Sequence, residues 1–296
     1  MSATEASSVA SGMSPRLPAA PNVCLTVPSA PRNVALVREM LTGLAETIAL
    51  NGALLNDILT AVTEACNNVA LHAYPGQEGP LKVSVTVSPS AVTVLVRDHG
   101  VGVRPLDLVP AGNEFRIGLP VMRALAQRIE LRDAAGRGTE VEMEFATPPI
   151  KSLGSVIDDP SRFPLRTRPG AANTAQISIT PVSLARTILS RLLCVLASHA
   201  DFSTDRLSDV QLIADALAAH AATSLSTSHL NLAVYVARRK LELNVGPLNA
   251  GGARRLIAES CLGGGLGDVI EKLTDRHCVA DAGEYETLTL ELSDSG

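Results

Sequence analysis

The sequence predicts an α/β fold built from two α+β sandwich domains in tandem, each with a mixed, mostly antiparallel sheet carrying helices on one face. Three observations predict it. Apolar residues alternate with period two in several short stretches, as half-buried strands require. Longer stretches between them carry apolar residues at helical spacing. The order of these elements then repeats about 150 residues further on.

Residues 1–22 are rich in Ser, Ala and Pro and read as a disordered tail. Leu25-Thr26-Val27 is a short strand that Pro28 ends. Val34, Val37, Met40, Leu41, Leu44 and Ile48 mark a helix over 34–50. A second helix over 54–73 stops at Tyr74-Pro75-Gly76. Leu81, Val83, Val85 and Val87, then Val92, Val94 and Val96, form a hairpin about Pro89-Ser90. Asp98-His99-Gly100-Val101-Gly102 leads into an irregular loop over 103–116. A helix over 119–127 and strands at 129–131 and 139–145 close the first unit, residues 23–147.

Residues 148–176 have no periodicity and are Pro-, Ser-, Arg- and Gly-rich, a linker. The second unit, 177–296, then gives a strand at Ile177–Ile179, helices over 184–200 and 207–221, and strands over 230–237 and 241–245. A short helix at 269–273 and alternation at Leu288, Leu290 and Leu292 follow. A shift of 148 positions sets Asn56–Ala73 against Thr204–Ala221 with identities at Asp57/Asp205, Leu59/Leu207, Val62/Val210, Ala70/Ala218, His72/His220 and Ala73/Ala221. The same shift sets Val121–Ala134 against Val269–Ala282 with five further identities. For so Ala- and Leu-rich a composition chance gives roughly one identity in ten. Two distant segments sharing one shift point to duplication.

The bulk numbers exclude several classes. With 25 Lys plus Arg against 30 Asp plus Glu the formal charge is −5, which argues against a nucleic-acid binder. The five cysteines lie apart, without CxxC spacing, which suits a reducing cytoplasm. No secretory signal and no run long enough to span a membrane is expected.

Three sites in the first unit carry chemistry. Glu64, Asn68 and His72 lie four residues apart, on one helix face. Asn68 can offer a neutral oxygen to Mg²⁺, which keeps few protein ligands, and Glu64 one turn away can act as a general base. Alone, such a row is also what a wet helix face looks like. Asp98 ends an apolar strand and can accept from an adenine amino group, with Gly100 and Gly102 letting backbone approach a purine; an ordinary Asx turn has the same residues. Gly118 opens a helix whose N–H groups can face phosphates. Gly138-Thr139 follows a turn, where Thr139 can support the adenine end.

The order and spacing of these sites resemble the GHKL-type ATPases and, more narrowly, the bacterial anti-sigma-factor serine/threonine kinases. Glu64-Ala-Cys-Asn-Asn68-Val-Ala-Leu-His72-Ala-Tyr74 resembles that group's N-box. Asp98-His-Gly100-Val-Gly102, Ile117-Gly118-Leu119-Pro120 and Gly136-Arg137-Gly138-Thr139 resemble its three glycine boxes. The resemblance covers residues 24–146. It implies a Bergerat fold with ATP between sheet and lid, Asp98 on adenine, Asn68 on Mg²⁺ and Glu64 activating a serine hydroxyl. It implies an anti-sigma-factor antagonist or a sigma factor as partner, and work as a homodimer or, here, an intramolecular pseudo-dimer. One departure stands out: the second glycine box usually reads Gly-x-Gly, and here Arg116 takes the first glycine's place. Arg116 either contacts phosphate or obstructs the cradle.

The second unit is expected to lack this chemistry. Under the 148 shift Leu212 faces Glu64 and Ala216 faces Asn68. Asp98 falls at or beside Val245, Gly100 near Pro247 and Gly138 near Tyr285. Gly263-Gly264-Gly265 near the lid position reads as a hinge.

Overall fold

The computed structural model describes residues 20–102, 118–133, 138–150, 153, 165, 173–259, 269–281 and 283–294. In the first half β1 (Val23–Pro28) leads through a 3₁₀ turn at Pro31–Asn33 into α1 (Val34–Thr47) and α2 (Gly52–Asn68). Asn51 caps α2, its side chain accepting the Leu54 N–H at 2.8 Å, which fixes where the helix begins. A π-helical turn, Val69–Ala73, extends α2. β2 (Pro80–Val87), β3 (Ala91–Arg97), α3 (Gly118–Leu125), β4 (Arg128–Asp133) and β5 (Thr139–Ala146) complete this half.

The second half begins with β6 (Thr174–Ile179), three residues earlier than its apolar pair Ile177 and Ile179 indicates. After a 3₁₀ turn at Val182–Leu184 come α4 (Ala185–His199), α5 (Thr204–Ser224), β7 (Leu230–Ala237) and β8 (Lys240–Leu248). Then follow α6 (Gly252–Ala258), α7 (Val269–Leu273), β9 (Arg276–Asp281) and β10 (Glu286–Ser293). Apart from α6, and the π-helical turn after α2, this is the element order of the first half again.

All strands join one sheet of ten in the order β4-β5-β3-β2-β1-β6-β7-β8-β10-β9. The second half of that order mirrors the first. The two halves therefore share a sheet rather than hang as separate bodies on a linker, and every pairing among the described strands is antiparallel, not mixed. At the centre β1 pairs with β6 in the register Val23↔Ile179 to Thr26↔Gln176. Pairing β1 and β6 leaves neither central strand as an open edge.

The helices pack on the face where alternate strand residues, such as Val23, Leu25, Leu81, Val83, Leu241 and Leu243, are buried, and one apolar core runs under both halves. Across the seam α1 crosses α4 so closely that a methyl group at Gly43 would lie 3.0 Å from the Ile188 Cα. Arg191 of α4 donates to Glu39 of α1 at 2.8 Å and also to Glu46. Half-exposed ion pairs of this kind contribute ~0–1 kcal/mol each; the buried apolar contacts and the strand pairing dominate the seam. Contrary to the composition reading, one window, Val182–His199, is long and apolar enough to cross a membrane. Ile188, Leu189, Leu192 and Leu193 within it are buried in the shared core, as a central helix of a packed fold requires.

Candidate active site

The site of the first half lies where α2 meets the ends of β3 and β5. Glu64 and Asn68, one turn apart on α2, both face the start of α3. A Cβ at Gly118 would stand 3.3 Å from Glu64 Oε2, 3.5 Å from Asn68 Nδ2 and 3.8 Å from Asn68 Oδ1. The structure thus brings together two residues of the helix motif, Glu64 and Asn68, and Gly118 of a separate glycine motif. Glycine at 118 leaves the two side chains the space in front of them.

Asp98 directly follows β3 and is only 2 % exposed. Its N–H donates to the Thr139 carbonyl at 3.0 Å, and its Oδ1 accepts the Gly100 N–H at 2.7 Å. The Thr139 N–H and hydroxyl also donate to the carboxylate. Burial raises the Asp98 pKa above the ordinary aspartate value, and these hydrogen bonds pull it back only in part. Asp98 and Thr139, read from separate motifs, therefore form one unit.

The glycines are needed for close approach. A Cβ at Gly100 would overlap the Ala73 carbonyl oxygen. Gly138 has φ +100° and a Cβ there would overlap the Asp98 carbonyl, so no other residue fits. Gly102 has φ +73°, with the Gly138 carbonyl oxygen 3.4 Å from where its Cβ would be. Arg116, Ile117, Gly136 and Arg137 lie outside the described residues.

Sequence reasoning missed the role of Tyr74, read only as part of a helix stop and of the N-box. Its hydroxyl donates to the Pro80 carbonyl at 2.8 Å and accepts the His99 N–H at 2.7 Å. Gly79 lies against its ring, and the Val101 N–H donates to the Ala73 carbonyl at 2.9 Å. The end of α2 and the Asp98–Gly102 loop are thereby clamped together. The π-helical turn is the element that brings Ala73 and Tyr74 onto that loop; such turns recur at functional sites. Among the described residues no group of three or more His, Cys, Asp or Glu could hold a metal. A magnesium ion fits here only as Mg²⁺ usually binds, through one protein oxygen and the phosphates it accompanies.

The second half keeps a threonine at the point equivalent to Thr139 but is built differently at the points equivalent to Glu64, Asn68, Asp98 and Gly138. Strand register agrees with the shift of 148: it carries Arg97↔Glu140 onto Val245↔Leu288, and Val92↔Phe145 onto Lys240↔Ser293. Asp98 therefore corresponds to Gly246, Gly138 to Glu286 and Thr139 to Thr287. Gly246 precedes a cis proline, Pro247. The Glu286 carboxylate accepts the Gly251 N–H at 2.7 Å and the Ala253 N–H at 3.2 Å, so the chain places its own anion at the start of α6. Leu212 and Ala216 pack against the core where Glu64 and Asn68 face a cleft. That face can pack and cannot hold a cation.

Residues 27–145 match the family described as histidine kinase-like ATPase domain. Among curated proteins, the chain is similar to an anti-sigma F factor of Clostridium kluyveri, 26 % identical over 98 residues, 30 % of this chain and 69 % of that protein. It is similar to that of Pasteuria penetrans, 31 % identical over 99 residues, 30 % of this chain and 66 % of the relative. That of a Thermoanaerobacter species is 30 % identical over 95 residues, 29 % of this chain and 66 % of the relative. Among solved structures, the mycobacterial sensor histidine kinase MprB aligns over 42 % of this chain and 99 % of the solved chain, at 17 % identity and a TM-score of 0.28.

Proposed function

We propose that this chain, whose first half is a histidine kinase-like ATPase domain resembling anti-sigma factors, is an ATP-dependent serine/threonine protein kinase of anti-sigma type. The observation that carries the reading is the meeting of Glu64 and Asn68 with Gly118 beside a buried Asp98–Thr139 pair. Asp98 and Thr139 hold the adenine end, and Gly100 and Gly138 let the backbone around Asp98 pack closely against Ala73 and β5, which fixes the carboxylate in place. Asn68 supplies one oxygen to Mg²⁺. The bound nucleotide supplies the phosphoryl group to be transferred. Glu64, at hydrogen-bonding range of the space before Gly118, takes the proton of an incoming serine hydroxyl. The substrate is a small regulatory protein, an anti-sigma-factor antagonist, and a sigma factor is the second candidate partner; the work is cytoplasmic.

We read residues 177–296 as a degenerate copy that replaces a second protomer. Support comes from the mirrored strand order, the shared β3–β5 and β8–β10 register and the α1–α4 crossing. Arg116 in the second glycine box favours a second reading, a nucleotide- or partner-binding module without turnover. A phosphate-transfer assay on candidate antagonists with the full chain separates the two. Transfer lost in Glu64→Ala supports the kinase. Tight ATP binding with no transfer to any candidate supports the module.

A further inference from the structure

A cavity apart from the nucleotide cleft lies among the described residues. It has a volume of about 330 Å³ and opens at one end of the seam between the halves, between the end of β1 and the start of β6. Val27, Leu36, Leu196 and Val236 give it apolar walls, and Arg32, His199 and Arg238 stand around it. Asn173 accepts from Arg32 at 3.2 Å, and Asp201 pairs with Arg238 at 3.4 Å.

The mirrored sheet gives the seam a second, corresponding end, and that end is closed. Asn22, the residue before β1, is buried and seals it with four hydrogen bonds. Its Nδ2 donates to the Thr180 carbonyl at 3.1 Å, and its Oδ1 accepts the Val87 N–H at 2.8 Å. Its N–H donates to the Val85 carbonyl at 2.8 Å, and its carbonyl accepts the Thr180 N–H at 2.7 Å. At the open end Asn173, the residue before β6, turns its side-chain oxygen to Arg32 instead. The cations are as one-sided as the seal. Arg32 is the middle residue of the first 3₁₀ turn, and Ser183 that of the second. His199 ends α4 where Thr47 ends α1. Arg238 follows β7 where Ser88 follows β2. The halves have thus diverged here from a sealed joint to an apolar cavity ringed by cations.

We infer that the open end of the seam is a binding site for a compact organic acid, with an apolar body between β1, β6, α1 and α4 and a carboxylate at Arg32. A monoanion fits the charge: Asp201 offsets Arg238, which among the described residues leaves Arg32 as the guanidinium at the rim with no carboxylate beside it, and a guanidinium matches a carboxylate's two oxygens. Such a ligand touches both halves at once and so stabilises the joined sheet by mass action.

The test is calorimetric titration of the full chain with octanoate and, in parallel, with 1-octanol of the same chain length. Octanoate is expected to bind once per chain at about millimolar affinity or tighter, which a ligand of this size reaches at ordinary efficiency. It should also raise the thermal midpoint. Arg32→Ala should weaken octanoate about tenfold or more, the worth of one charge-assisted hydrogen bond. Ala237→Leu narrows the cavity without touching a charge and should weaken octanoate and octanol together. Arg254→Ala, away from the cavity, should bind as the parent does. Octanol binding as tightly as octanoate, octanoate affinity unchanged in Arg32→Ala, or no octanoate binding at ~10 mM each overturns the inference. None of these readouts depends on ATP or on phosphate transfer.

Discussion

Replacing Asp98 by Asn tests the nucleotide assignment at its most buried point. Asp98 Oδ1 already accepts from the Gly100 N–H at 2.7 Å, and Thr139 donates twice more to the carboxylate, so the side chain is held in place before any ligand arrives. The variant keeps the shape and removes the charge. A hydrogen bond to a charged acceptor is worth ~1.5–3 kcal/mol, which is about 10- to 150-fold in affinity. Titration calorimetry with ATP and Mg²⁺ should show a loss in that range, with the thermal midpoint moved by only a few degrees. The pH dependence gives a second, independent signature. Because burial raises the Asp98 pKa, its proton is taken up at higher pH than by an ordinary aspartate. Binding by the parent should therefore fade, as pH is lowered, before ordinary carboxylates titrate, while the residual affinity of Asp98→Asn stays flat there. For stability the sign is opposite to that of a salt-bridged aspartate: a raised folded-state pKa favours the fold below the unfolded-state value, and that contribution is lost as pH rises through the folded-state value. Normal ATP affinity in Asp98→Asn, or parallel pH profiles for the two proteins, refutes the adenine assignment.

The other perturbations follow from the same geometry. Glu64→Ala should bind ATP as the parent does and lose transfer to a serine acceptor by ~10²–10⁴-fold, the range for a general base; equal transfer rates would make Glu64 a surface carboxylate. Gly138→Ala adds a Cβ at φ +100° against the Asp98 carbonyl, and the combined strain and overpacking should cost ~2–5 kcal/mol, read as a lower denaturant midpoint with ATP binding lost. Gly43→Leu should force α1 from α4, because the added atoms meet the Ile188 backbone; cross-linking or scattering should then show loosened halves, and an unchanged compact particle would mean that the β1–β6 pairing alone holds them.

Much of this architecture is legible in the sequence, and the gaps have physical causes. Leu81 to Val87 and Val92 to Val96 alternate cleanly because one face of β2 and β3 is buried and the other is not. Asp98 is legible because a carboxylate ending an apolar strand before two glycines is an unusual demand on the backbone. The joining of two sheets into one leaves no such trace: β1 and β6 pair through main-chain groups, which are the same for any residue. β9 is nearly all exposed edge and carries few apolar residues, so period-two alternation is absent. α6 follows Gly251 and Gly252, residues that ordinarily interrupt a helix, yet Gly251 sits at φ +74° as the residue just before its first turn. The Asp98–Thr139 pairing and the Tyr74 clamp are contacts between residues 41 and 25 apart, which motif reading lists but cannot join.

The central claim is that one chain holds one nucleotide site, in its first half, and that the second half supplies packing surface in place of a second site. Titration of the full chain with ATP and Mg²⁺, with mass measured by light scattering on the same sample, tests it most directly. The account predicts one ATP per chain, abolished or greatly weakened by Asp98→Asn, on a particle of a single chain. Two ATP per chain, or a site that survives Asp98→Asn at full affinity, would contradict it.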